Sequence, residues 1–185
     1  NLIGLVLVGK IMMAALGRAE YLHTNPPPFY LYLDEFQNVT TDTIATILSE
    51  ARKYRLSLTI AHQFIGQLEG DRIKESIKSA VFGNVGTMVI FRIGAADGTF
   101  LEPQFKPTFL QADMINLDNY NAYVKLLAEG KPVTPTFSME TLAFRSGDMA
   151  QIDAMKNMSY QRYGRPREAV EEEIRQKYKS MHGKG

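Results

Sequence analysis

Polar and apolar positions divide the chain into alternating strand-like and helix-like blocks. Residues 2–22 are almost continuously apolar, broken by Lys10, Arg18 and Glu20. They predict a helix that stops at Asn25-Pro26-Pro27-Pro28, because proline lacks the amide donor and restricts the residue before it. The unbroken run Phe29-Tyr30-Leu31-Tyr32-Leu33 follows and reads as a strand covered on both faces. Over 42–55, Ile44, Ile47, Leu48 and Ala51 recur at helical spacing behind a candidate N-cap, Thr41. Residues 56–61 predict a second short buried strand. Residues 72–82 predict an amphipathic helix with Ile73, Ile77, Ala80 and Val81 inward, and 87–91 a third strand.

This alternation predicts an α/β fold, a mostly parallel sheet flanked by helices. Beyond 95 the pattern loosens into short helical pieces near 96–102 and 110–116. Residues 122–127 and 133–138 flank Glu129-Gly130-Lys131 and read as a strand pair at an antiparallel edge. From 147 onward the chain is polar and helical. Pro166 suits a helix first turn, and Val170, Ile174, Tyr178 and Met181 form one narrow apolar stripe. Glu171–Arg175 and Glu173–Lys177 are favourable i,i+4 pairs. Three regions result: an incoming helix and Pro-rich linker over 1–28, an α/β core over 29–146, and a helical tail over 147–185.

Composition narrows the picture modestly. With 185 residues, 45% of them hydrophobic, the chain can bury a substantial core. A net charge of +1 means that nucleic acid, if bound, is met through a local patch and not by global attraction. The absence of cysteine excludes disulfides, thiolate metal sites and cysteine nucleophiles, and the widely spaced His23, His62 and His182 give no reason to expect zinc. The greasy start is interrupted before it reaches the ~18 apolar residues of a membrane span, so no transmembrane segment is expected. It lacks an initiator Met and a basic start, unlike a signal peptide. An opening of Asn-Leu-Ile reads as a start inside a longer gene product.

The candidate chemistry lies where the first strand ends. Phe29-Tyr30-Leu31-Tyr32-Leu33 runs directly into Asp34-Glu35. Carboxylates at the end of an apolar strand need a compensating partner, and ligands of open α/β sheets bind beyond the carboxyl ends of the strands. A magnesium–phosphate ligand would explain the placement, which is the Walker B pattern. Asp34 would hold Mg²⁺ through its water shell, and Glu35 would orient or deprotonate the attacking water. The next strand ends in His62-Gln63, and the Gln63 amide, able to donate and accept, is placed to sense a γ-phosphate or its water. Arg52-Lys53-Tyr54-Arg55 closes the intervening helix, where basic residues suit the macrodipole. Arg52 is also the candidate for an arginine finger aimed at a neighbouring subunit's nucleotide, with Arg55 and Arg92 as runners-up.

One apparent phosphate loop is a decoy. Gly4-Leu5-Val6-Leu7-Val8-Gly9-Lys10-Ile11 nearly matches G-x-x-x-x-G-K-[ST], but Ile11 has no hydroxyl for magnesium, the spacer residues suit a helix, and no strand precedes them.

Tyr32-Leu33-Asp34-Glu35-Phe36-Gln37-Asn38, Ile47-Leu48-Ser49-Glu50-Ala51-Arg52-Lys53-Tyr54 and Ala61-His62-Gln63 together resemble the coupling ATPases of conjugation and type IV secretion, within the FtsK–HerA group of hexameric DNA pumps. Val81-Phe82-Gly83-Asn84-Val85-Gly86-Thr87 and residues 11–18 add to the likeness, and Tyr163-Gly164-Arg165-Pro166-Arg167 is similar to the tail of some bacterial relatives. The resemblance implies a RecA-like P-loop NTPase core with ATP and Mg²⁺ bound between subunits of a homo-oligomeric ring. It further implies DNA or nucleoprotein as cargo, contacts with secretion-channel components, and a cytoplasmic position at the inner face of the bacterial membrane. By position Asp34 and Glu35 match Walker B, Gln63 the third motif, and Arg52 the trans-acting arginine. The family's phosphate-binding loop has no counterpart here, so the segment is expected to lack turnover by itself. A non-catalytic ring or adaptor subunit, or a secretion ATPase moving protein, also fits the residues.

Overall fold

The computed structural model describes residues 2–20, 25–39, 45, 48, 50–143 and 147–182. The chain divides into two compact units, 1–141 and 142–185.

In the first unit, α1 (Leu2–Gly17) precedes a parallel pair, β1 (Phe29–Leu33) and β2 (Leu56–Ile60). Phe29 lies opposite Leu56 and Leu33 opposite Ile60, so one face of the pair gathers Leu31, Leu33, Leu56 and Leu58. Val8, Met12 and Ala15 of α1 pack on that face. The close fit extends to the helix start, where a Cβ on Gly4 would meet Val39 Cγ1 at 2.7 Å. The expectation of a strand covered on both faces is corrected here. Tyr30 and Tyr32 are 61% and 70% exposed, and their partners Ser57 and Thr59 are polar and exposed as well. A run of apolar residues does not distinguish a doubly buried strand from one that carries aromatics on an open face.

Gly4 to Ile11, the decoy phosphate loop, is helical within α1. The stretch Leu2–Glu20 is long and apolar enough, by length and composition, to cross a membrane, which departs from the sequence expectation of no such segment. Lys10 and Arg18 interrupt the apolar run without lowering the average over 18 residues below that of a span.

The expected helix over 42–55 falls partly outside the described residues, Thr41, Ile44 and Ile47 among them. Its last residues, Ala51–Tyr54, form a 3-10 turn. Beyond β2, α2 (Arg72–Asn84) starts where the Asp71 carboxylate accepts the Lys74 N–H at 2.9 Å and buries Ile77 and Val81. Ile73, expected inward, is exposed. β3 (Met88–Ile90) does not extend the parallel pair. It runs antiparallel to β4 (Asn121–Ala128), which pairs antiparallel with β5 (Lys131–Glu140). The mostly parallel sheet expected from the sequence is therefore a two-stranded parallel pair and a separate three-stranded antiparallel sheet among the described residues. The β4–β5 turn uses Glu129 and Gly130 at φ 52° and 78°, the positive-φ pair that matches strand twist in a two-residue hairpin. Such a local turn pairs β4 with β5 ahead of any distant partner. α3 (Ala95–Phe105) and α4 (Gln111–Ile115) connect β3 to β4.

Two further clusters complete the core of this unit. Phe36, Leu68, Ile77 and Val81 lie around the turn after β1. Ile65, Ile90, Leu101, Phe105 and Met114 lie between α3 and the antiparallel sheet.

The second unit consists of α5 (Met149–Tyr163) and α6 (Arg167–His182). Asp148 caps α5 through the Ala150 N–H. Glu173 receives Lys177 at 2.7 Å and Arg165 at 2.5 Å, whereas Glu171 takes Arg167 at 2.6 Å in place of the expected Arg175. Lys177, and then Arg165, hold the Glu173 carboxyl down at about 2, from 4.5.

Candidate functional site

The parallel pair positions a polar cluster at its carboxyl end. The ladder continues past β1, with Ala61 N–H donating to Leu33 O at 2.9 Å and Phe36 N–H donating to Ala61 O at 3.1 Å. Asp34 and Glu35 thus bulge from the tip while Phe36, fully buried, plugs the chain back into the core. Glu35 adopts φ 48°, a left-handed conformation uncommon outside glycine and asparagine. The two flanking ladder bonds hold it there, and strained backbone of this kind clusters at functional sites.

The consequence is a converging set of side chains. The Gln63 amide donates to Glu35 Oε1 at 2.9 Å across a sequence gap of 28 residues, and the Gln37 amide donates to Oε2 at 2.6 Å. Those bonds, Gln63's first and Gln37's next, hold the Glu35 carboxyl below its ordinary 4.5, and nearby His62 acts in the same direction. Asp34 is exposed at the tip, its Oδ1 accepting the Glu35 N–H at 3.0 Å. The His62 ring stands edge-on to Phe36 with centroids 5.5 Å apart, and its buried Nδ1 has no hydrogen-bond partner among the described residues.

Of the residues singled out from the sequence, Asp34, Glu35 and Gln63 share this tip. Arg52 lies in the Ala51–Tyr54 turn at the far, amino-terminal end of β2, and its side chain is outside the described residues. Arg55 donates to Pro26 O at 3.1 Å, and Arg92 to Asn119 Oδ1 at 3.1 Å. Gln37, which sequence reasoning did not assign to the site, grips the second Glu35 oxygen. Its position two residues after Glu35 was the available signal. Arg18, at the end of the first helix, donates to the carbonyls of Pro27 and Tyr54 at 3.1 and 3.2 Å and ties the linker to the Ala51–Tyr54 turn.

An exposed carboxylate at a strand tip could hold a hydrated divalent ion. Among the described residues no group of three or more His, Asp or Glu side chains converges, while one exposed carboxylate stands at a strand tip. Mg²⁺ retains several waters and takes one or two carboxylates together with substrate phosphates, which fits Asp34 as its protein contact.

Comparison with known proteins gives a family-model match and likenesses to solved structures. Residues 28–102 match the family model described as the TraM recognition site of TraD and TraG. The fold resembles a solved bacterial conjugative coupling protein, TrwBdeltaN70 in its unbound monoclinic form, with a TM-score of 0.50 and 15% sequence identity over 72% of this chain. The chain spans 35% of that protein's length. No curated protein matches at a significant level.

Proposed function

We propose that this chain, a coupling-protein-type conjugation protein, supplies the Walker B and sensor half of an ATP-driven motor that moves DNA or nucleoprotein during conjugation. The observation that carries the reading is the Gln63–Glu35 hydrogen bond at the tip of the parallel pair. It joins the two elements that the sequence motifs mark as water-orienting and phosphate-sensing.

In this reading the tip is one face of a RecA-like nucleotide site. Asp34 holds Mg²⁺ through water, and the ion's charge neutralises phosphate oxygens when it is bound. Glu35, a carboxylate at neutral pH and oriented by the two amides, accepts a hydrogen bond from the attacking water. A depressed pKa makes a weak base, so orientation of the water outweighs proton abstraction. Gln63 rotates its amide between Glu35 and the transferred phosphate. A cleft of about 220 Å³ lies beside Gln63, bordered by Ile60 of β2 and Met88 and Ile90 of β3. Arg52 reaches the nucleotide of an adjacent subunit in a hexameric ring at the inner face of the bacterial membrane. A TraM-like protein is the partner suggested by the family model over 28–102.

Glu35→Gln in a coupling protein that joins this segment to a phosphate-binding loop is the test. ATP hydrolysis should fall by about 10²-fold or more while nucleotide binding persists. Hydrolysis at the wild-type rate would remove the assigned role and with it the motor reading.

A further inference from the structure

The segment carrying Gln63 is held by a residue outside the tip. After β2 the chain passes through Gln63 into the 3-10 turn Ile65–Leu68. Gln67 Oε1 accepts the Gln63 N–H at 3.3 Å, and Ile65 and Leu68 are buried in two different clusters. The Ile65 N–H donates to Asp97 Oδ2 at 3.1 Å in the interior.

Asp97 is unusual on several counts. It is 8% exposed and is the only buried charged side chain among the described residues. No basic side chain among them lies within ion-pair distance of it. It occupies the third position of α3, where the helix N-terminus favours negative charge, so the carboxylate is accommodated without a counter-ion. An acidic residue at that position commonly bonds back to its own helix start, yet the bond it makes goes to another element. Burying a carboxylate is costly, and helix-end electrostatics alone would be served equally well by an exposed one. The outcome of burial here is a polar latch, two residues beyond Gln63, between α3 and the segment after β2.

We propose that Asp97 is a positioning residue for Gln63: by anchoring the Ile65 amide it sets where the Gln63 side chain meets Glu35. The inference rests on the nucleotide-site reading of the tip. Release of the Ile65 amide leaves the backbone from 63 to 65 free to drift, and a displacement of about 1 Å at a catalytic constellation can lower turnover up to about 10²-fold.

The test uses a coupling protein that carries this segment and a phosphate-binding loop, with steady-state ATP hydrolysis as readout. Asp97→Ala should lower kcat about tenfold and leave KM for ATP within about twofold. Asp97→Asn, which retains an acceptor oxygen, should recover most of the loss. On a Gln63→Ala background, adding Asp97→Ala should change kcat by less than about twofold, because both act through one side chain. Where Asp97→Ala does not fold, Asp97→Ser replaces it, a small polar residue too short to reach Ile65. An unchanged kcat in Asp97→Ala, or the full drop repeated on the Gln63→Ala background, would overturn the positioning role. So would loss of folding in both variants, which makes Asp97 purely structural. Glu35→Gln assayed alongside separates the two levels. Wild-type turnover there overturns the site reading and the positioning role together, whereas an inactive Glu35→Gln with a fully active Asp97→Ala overturns the positioning role alone.

Discussion

The parallel pair and the antiparallel sheet of the first unit show two ways of using strands. β4 and β5 are joined by a two-residue turn, so their pairing is local, and the buried side chains alternate along β4 as Ala122 and Val124. β1 and β2 are five residues each, separated by 22 residues, and bury one face only. The hairpin carries no converging polar cluster among the described residues, whereas the parallel pair ends in one. Parallel strands deliver the same end of two distant segments to one place, and an antiparallel hairpin cannot do so. The smaller sheet is thus the one able to assemble chemistry.

The contrast is most strongly tested at Phe36, which is fully buried beside the tip. Phe36→Ala should destabilise the fold by about 3–5 kcal/mol, read from urea unfolding. Amide protection in β1 and β2 should fall before that in β4 and β5. Equal losses in both would mean that the two sheets behave as one cooperative unit. Next comes Gly86, where an added Cβ would collide with Leu127 of β4. Gly86→Ala should cost about 1–3 kcal/mol by overpacking and should spare the Glu35–Gln63 contact. A smaller effect is expected at the α2 cap, where Asp71→Ala should lose about 1 kcal/mol.

Titration sharpens the comparison with the least perturbation. The Glu35 carboxyl is depressed in the folded state, so its contribution to stability is present above 4.5 and lost as pH falls through the depressed value. Gln63→Ala should raise the Glu35 titration toward 4.5 more than Gln37→Ala does, followed by carboxyl carbon NMR. The opposite order would place the dominant interaction within the local turn and not across the strands. In the second unit, Glu173 titrates at about 2, so the Arg165 and Lys177 ties should hold as pH falls past 4.5 and give way toward about 2. Helicity of α6 that declines already at 4.5 would count against those ties.

Much of this was legible in the residues. The ending of an apolar strand in Asp34-Glu35, the second strand leading into His62-Gln63, a helix over 72–82 (observed as Arg72–Asn84) and the Glu129-Gly130 hairpin all carry local signatures: side-chain period, turn chemistry and capping. The alternating strand and helix pattern, in contrast, over-predicted parallel pairing, because periodicity reports that a strand exists and not which neighbour it takes. β3 illustrates this, since its five expected residues look the same beside β2 or beside β4.

The first two strands, the helix after them, the hairpin and the acidic strand end follow from local residues, since propensity, proline stops and side-chain alternation act within a few residues. Only the tertiary structure decided that Gln63 meets Glu35, that Gln37 holds the second oxygen, and that the Asp97 carboxylate is buried against Ile65. Contacts across 28 and 32 residues depend on register and on how three apolar clusters close around the chain. Neither is written in the local pattern of the residues that make them.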